Sequence, residues 1–241
     1  MIFRSIIFYV ILGVWTITMG TICLPYLFVS NSYIRKPINL WILGIFKLLE
    51  IICNITHEIR GGENIPKYSV LIASKHQSAF ETFALFFYIN KSIFIHKKQL
   101  FFIPIFGQYL KKTNMISINR SEGTASMRKM LKEAKSKMSA GYSIIIFPEG
   151  TRKIPGDKPD YKTGFIGIYN ETESEILPVA VNSGHYWPKH TFIKTPGRII
   201  IKILKPIPAK LKKDEVLEKI ESVIEEETNK IIKLGVFIQY L

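Results

Sequence analysis

Cysteine is scarce in this sequence, with two in 241 residues, Cys23 and Cys53. Both lie in the apolar N-terminal part, so nothing supports a disulfide framework, and no metal-ligand spacing surrounds either one. No His/Cys/carboxylate cluster stands out, and neither a metal nor any other resident cofactor is expected. The chain has no G-x-S-x-G, which argues against a serine hydrolase built on that turn. Acid is also in short supply: 19 Asp and Glu stand against 33 Lys and Arg, a formal net charge of +14. That imbalance favours an anionic partner, whether nucleic acid, anionic lipid or a phosphorylated substrate. Nucleic acid is the weakest of the three, because the aromatics sit in apolar runs rather than between basic residues, and no nucleic-acid motif is present. Internal repeats and low-complexity linkers are absent too. The lysine-rich, cysteine-poor body fits a reducing cytosolic face.

Apolar residues are plentiful, at 47% of the chain, and the mean hydropathy is +0.16. Residues 5–29 carry no charge and follow Arg4. A helix of that length can cross a hydrocarbon core of ~30 Å. The run is too long for a signal peptide and lacks an A-x-A cleavage site. A second apolar stretch, Ile38–Cys53, follows Arg35, Lys36 and Pro37 and carries Lys47 and Glu50. It reads as a second span, or as an interfacial helix with Lys47 snorkelling. Pro25 is expected to break or kink the first helix. Residues 1–56 are therefore read as a two-helix membrane anchor, and residues 57–241 as the α/β body. The positive-inside bias and the anionic inner leaflet place that body on the cytoplasmic side of the cell membrane.

Beyond Arg60 the pattern alternates between short apolar runs and helical spacings. Strands are expected at Tyr68–Ala73, Ser92–His96, Met115–Ile118, Tyr142–Phe147, Ile176–Val181 and Ile199–Ile203. Helices are expected at 79–90, Ser126–Ser139 and Asp214–Leu234, with a surface loop at 153–164. This alternation predicts an α/β domain, a layered mixed sheet flanked by helices.

Two segments carry chemistry. Ser74-Lys75-His76-Gln77-Ser78-Ala79-Phe80-Glu81 falls where a strand turns into a helix, a place that holds side chains rigidly at a sheet edge. His76 there is a natural general base, and Glu81, five residues on, can fold back to orient the imidazole and stabilise its cation. The plainer reading is that Ser78-x-x-Glu81 is a capping box and His76 a structural histidine. The second segment, Phe147-Pro148-Glu149-Gly150-Thr151-Arg152, follows the most apolar strand of the body. Pro148 ends the strand, Gly150 admits a ligand close to the backbone, and Thr151 and Arg152 can hold a phosphate. Here the plainer reading is an ion pair between Glu149 and Arg152.

Together these segments resemble the glycerolipid acyltransferase family, specifically the 1-acyl-glycerol-3-phosphate acyltransferases, which carry H-x4-D followed by F-P-E-G-T-R. The second motif is complete from Phe147 to Arg152, and the first has Glu81 in the aspartate position. Lys97-Lys98-Gln99-Leu100, then Pro104, Phe106-Gly107 and Ile118-Asn119-Arg120, resemble a further family block, and Ile176–Val181 the last one. Gln99 and Asn119 depart from the acidic residues usual at their positions. The resemblance spans roughly residues 60–185 and implies transfer of an acyl group to the free hydroxyl of a lysophosphatidic acid acceptor. The donor would be an acyl carrier protein or coenzyme A thioester. It implies His76 as base with Glu81 behind it, Glu149 and Gly150 at the glycerol, and Arg152, Thr151, Lys98 and Arg120 near the phosphate. No covalent acyl-enzyme is needed, since both thiols lie in the anchor. Membrane lipids complete the expected partners. The rival readings are acylation of another lysolipid, such as a lyso-ornithine lipid or a lysophospholipid, and a non-catalytic basic membrane-surface protein.

Overall fold

In the computed structural model, residues 1–103, 106–119 and 123–238 are described. Two N-terminal helices, α1 (Ile2–Ile22) and α2 (Arg35–Cys53), pair with each other. Their approach is close because residue 44 has no side chain: a Cβ on Gly44 would collide with the Trp15 ring. Trp15 donates its indole N–H to the Trp41 carbonyl at 3.0 Å, and Trp41 donates to Thr16 Oγ1 at 3.1 Å. Helix α1 stops ahead of Pro25, which lies in a 3-10 turn at Leu24–Leu27. Asn54, in the left-handed conformation at φ 52°, ends α2 and turns the chain into β1 (Ile55–Arg60).

The rest alternates between strands and helices: β2 (Leu71–Ser74), α3 (Phe80–Tyr88), β3 (Ser92–Lys97), α4 (Phe106–Lys112), β4 (Ile116–Ile118), α5 (Gly123–Ser139), β5 (Ser143–Ile146), α6 (Gly164–Thr172), β6 (Ile176–Val181), β7 (Gly197–Ile203) and α7 (Lys213–Ile238). The seven strands form one mixed sheet in the order β1-β7-β6-β2-β5-β3-β4. Every pairing is parallel except that of β6 with β7. Alternate residues feed two cores. Ile72, Ile145 and Val179 pack under α1, α2 and α3, whereas Leu71, Ile144 and Ile176 pack under α5, α6 and α7. Burial on both faces is why β2, β5 and β6 are continuous apolar runs.

Strand β1 and helices α4 and α6 were not anticipated. Strand β1 alternates polar and apolar residues and finds its partner, β7, far along the chain, Ile55 lying opposite Gly197. The last turns of the second apolar stretch thus lead straight into the sheet.

Helix α1 is the one helix among the described residues long and apolar enough to cross a membrane. Helix α2 is amphipathic, with Ile42, Ile45, Leu49 and Cys53 buried in the core beneath the sheet. Both helices are joined to the body. The Arg35 guanidinium donates to the carbonyls of Phe86 and Ile89 at the end of α3 and of Ser92 at the start of β3. Lys194 is buried against α1, its backbone N–H reaching Ser5 Oγ at 2.8 Å and its ammonium Tyr9 Oη at 2.7 Å. Burial lowers the Lys194 ammonium to about 8.

Candidate functional site

Strands β6, β2 and β5 are adjacent and parallel, so their carboxyl ends open at the same edge. His76 follows β2, Glu149 and Arg152 follow β5, and Ser183 follows β6. Open α/β sheets place ligands at this edge.

Glu81 lies in the first turn of α3 and is fully buried. Its Oε1 accepts the Nδ1–H of His76 at 2.9 Å and the backbone N–H groups of Gln77 and Ser78, each at 2.7 Å. Its Oε2 accepts the Ser183 hydroxyl at 2.7 Å. A carboxylate oxygen already facing two N–H donors makes His76 Nδ1 a donor as well, so in the neutral imidazole the lone pair resides on Nε2. The Nε2 atom makes no hydrogen bond among the described residues. Ser78 Oγ accepts the N–H of Phe80 at 3.1 Å rather than that of Glu81, so only the carboxylate half of the expected capping box forms, and it is the orienting carboxylate itself. The His76 ring stacks on Phe147, with centroids 3.8 Å apart and planes at 14°.

The His76 backbone is held as firmly as its side chain. Its N–H donates to Glu149 Oε1 at 3.0 Å, and its carbonyl accepts the Lys153 N–H at 2.8 Å. Glu149 is buried, and its Oε2 lies 3.2 Å from the Lys75 ammonium. Burial raises the Glu149 carboxyl above the usual carboxylate range; the His76 N–H and Lys75 pull it back down. Its partner is thus Lys75 rather than Arg152, and both of its oxygens are turned inward.

Gly150 takes φ +66°, a conformation that disfavours any side chain. Beyond it, Thr151 is exposed and Arg152 half-buried. Lys189 bridges the two, donating to Thr151 Oγ1 at 3.1 Å and to the Arg152 carbonyl at 3.3 Å. The Arg152 guanidinium makes no hydrogen bond or ion pair among the described residues. Lys98 is exposed in the turn after β3. Arg120 and Pro104 lie outside the described residues.

An apolar cavity of about 460 Å³ lies between α1, α2, α3, α4 and the end of β3. Phe83, Phe86, Phe94 and Phe106 line it, along with Trp41 and Cys23. Of the other phenylalanines in that stretch, Phe87 packs into the core and Phe102 is exposed. Phe94 stacks on Phe147 at 6.0 Å, and Phe147 on His76, so two rings connect the cavity to the histidine.

Sequence reasoning passed over Lys75, Ser183 and Lys189. Lys75 adjoins His76 and was legible as a charge on a strand end. Ser183 and Lys189 carry no motif and meet the site through the β6–β2 pairing alone.

A family model described as "Acyltransferase" matches residues 56–182. A 1-acyl-sn-glycerol-3-phosphate acyltransferase of Pseudomonas aeruginosa is 32% identical over 203 residues, covering 83% of this chain and 79% of that protein. A protein of the same name from Cocos nucifera is 32% identical over 151 residues, covering 62% of this chain and 49% of its own length. The crystal structure of the 1-acyl-sn-glycerophosphate (LPA) acyltransferase PlsC from Thermotoga maritima superimposes with a TM-score of 0.78 at 25% identity, covering 95% of each chain. With the histidine and its buried carboxylate inside the matched segment and the fold shared nearly end to end, the chain belongs to the acyltransferase family.

Proposed function

We propose that the protein transfers an acyl group from a thioester to the sn-2 hydroxyl of 1-acyl-glycerol-3-phosphate, giving phosphatidic acid for phospholipid synthesis. The observation that carries this reading is the His76–Glu81 pair, with Nε2 left as the free base at the sheet edge. His76 Nε2 takes the hydroxyl proton as the oxygen attacks the thioester carbonyl. The new C–O ester bond forms, the C–S bond breaks, and the proton passes from the imidazolium to the departing thiolate. Glu81 holds the tautomer throughout and stabilises the imidazolium. The relatives named for this reaction support the choice of acceptor.

Arg152 binds the acceptor's phosphate, aided by Lys98 and Arg120, while Thr151 and Gly150 shape the loop around it. Glu149, buried with one oxygen on the His76 N–H and the other on Lys75, acts through the His76 backbone. The cavity receives an acyl chain; its volume is ordinary for a ligand pocket of ~300–1,000 Å³. Helix α1 holds the enzyme at the membrane with its basic body on the cytoplasmic side.

The test is acyl transfer by the purified full chain in mixed micelles, with 1-acyl-glycerol-3-phosphate and either acyl carrier protein or coenzyme A thioesters. Phosphatidic acid as product supports the reading and identifies the donor. Product from another lysolipid alone, such as a lyso-ornithine lipid, overturns the choice of acceptor.

Two variants probe the binding roles. Arg152→Ala raises the acceptor KM by about tenfold or more, as loss of a charge-assisted contact implies, and leaves the donor KM unchanged. Lys189→Met produces a smaller rise in the same constant, because Lys189 holds the Thr151–Arg152 backbone. Equal KM values for wild type and both variants would remove the phosphate from this loop. Filling part of the cavity with Cys23→Trp shifts preference toward shorter acyl chains, read as the ratio of kcat/KM values across a donor series. An unchanged ratio would mean the chain lies elsewhere.

A further inference from the structure

Lys75 and His76 leave β2 in opposite directions. Along this strand Ile72 faces the core under α3 and Ala73 the core under α7. Continuing that alternation, His76 lies on the α3 side and Lys75 on the α7 side. The Lys75 ammonium ends 2.6 Å from Glu225 Oε1 on α7 and 3.2 Å from Glu149 Oε2. The Tyr161 hydroxyl donates to the same Glu225 oxygen at 3.0 Å. The Lys75 side chain is 5% exposed and that of Glu149 not at all. Burial and the negative charge around it push the Tyr161 phenol far above its ordinary value, so it stays a neutral donor.

We infer that Glu225, through Lys75 and Glu149, is a positioning residue for His76: the C-terminal helix sets the placement of the histidine backbone. The connections are continuous. Tyr161 holds the Glu225 carboxylate, Glu225 fixes the Lys75 ammonium, the ammonium fixes the Glu149 carboxylate, and that carboxylate accepts the His76 N–H. Glu225 lies 150 residues from Lys75, outside the segment matched by the family model. Buried ion pairs add little stability relative to apolar packing of the same volume, so stability alone is a poor reason for the arrangement. Geometry is a better one. A base must meet its proton within hydrogen-bond reach, and displacement by about 1 Å can cost on the order of a hundredfold in rate.

This inference rests on the acyl-transfer reading, and the experiment separates the two. Wild type, Glu225→Leu and Glu225→Gln are compared as full chains by steady-state kinetics, thermal midpoint and hydrogen exchange of the backbone. Leucine removes the oxygen that Lys75 and Tyr161 share but leaves Lys75 paired with Glu149. Glutamine retains an acceptor oxygen. In Glu225→Leu, kcat falls roughly ten- to a hundredfold with both KM values unchanged. Amides in the peptide spanning residues 74–82 exchange about tenfold faster, while those of β6 and α6 keep wild-type rates. Glu225→Gln restores most of the lost turnover and the slow exchange.

Wild-type kcat in Glu225→Leu overturns the inference. So does faster exchange spread evenly over the sheet with a matching fall in thermal midpoint, which is the signature of a merely structural role. Absence of acyl transfer in the wild type would defeat the functional reading instead. The exchange pattern then decides the positioning role alone: local acceleration supports it and unchanged or uniform exchange refutes it.

Discussion

His76→Ala lowers kcat by about a thousandfold, within the ~10²–10⁴ range for a positioned general base. The acceptor and donor KM values change little, because the phosphate and acyl chain are held elsewhere. The protein stays folded. Glu81 keeps three of its four donors, the N–H groups of Gln77 and Ser78 and the Ser183 hydroxyl, so its buried carboxylate is not abandoned. The Phe147 ring loses one stacking partner but retains Phe94. Steady-state rates with a thermal midpoint check this result. A variant that turns over as wild type would mean that the proton leaves by another route, whatever the family.

Glu81 separates fold from chemistry once the right substitutions are compared. Glu81→Gln retains an oxygen for the His76 Nδ1–H and the two backbone N–H groups, and its amide can donate to a rotated Ser183 hydroxyl. What it loses is the negative charge facing the imidazolium. The expected result is a kcat lower by ~10²–10⁴-fold with a near-native thermal midpoint. Glu81→Ala strands buried donors as well, each costing ~1–3 kcal/mol, and so lowers the midpoint together with the rate. If Glu81→Gln were as active as wild type, Glu81 would be a helix cap and nothing more. If both variants unfolded alike, the carboxylate charge would be structural.

These expectations depend on features of uneven legibility. Strands β5 and β6 declare themselves because both of their faces are buried and every residue is apolar or small. The motif after β5 and the motif after β2 therefore fall on one edge as soon as β2 is paired in parallel between β5 and β6. Strand β1 is silent because its six residues mix polar with apolar, and its existence depends on pairing with β7. Glu81 allowed two readings, cap and orienting group, and the carboxylate performs both, since one oxygen accepts from His76 and from two backbone amides. Glu149 shows the limit of local reasoning. Proximity in sequence suggested Arg152 as its partner, whereas strand pleating delivers Lys75 from β2. No short-range pattern announces Glu225 or Ser183, because each reaches the site through packing of elements more than 100 residues distant from its partner.

Helix α1 shows Ile2, Phe3, Ile6, Val10 and Val14 on its outer surface, while Thr16, Ile17, Met19 and Gly20 help wall the cavity. If α1 lies in the bilayer and the cavity takes the acyl chain, as proposed above, one helix stands between the two. For an enzyme built this way the working concentration of acceptor is its mole fraction in the lipid, not its molarity in the suspension. Adding buffer leaves turnover as it was, whereas adding inert lipid slows it. Encounter becomes a search in two dimensions, and the product enters the same leaflet from which its precursor came.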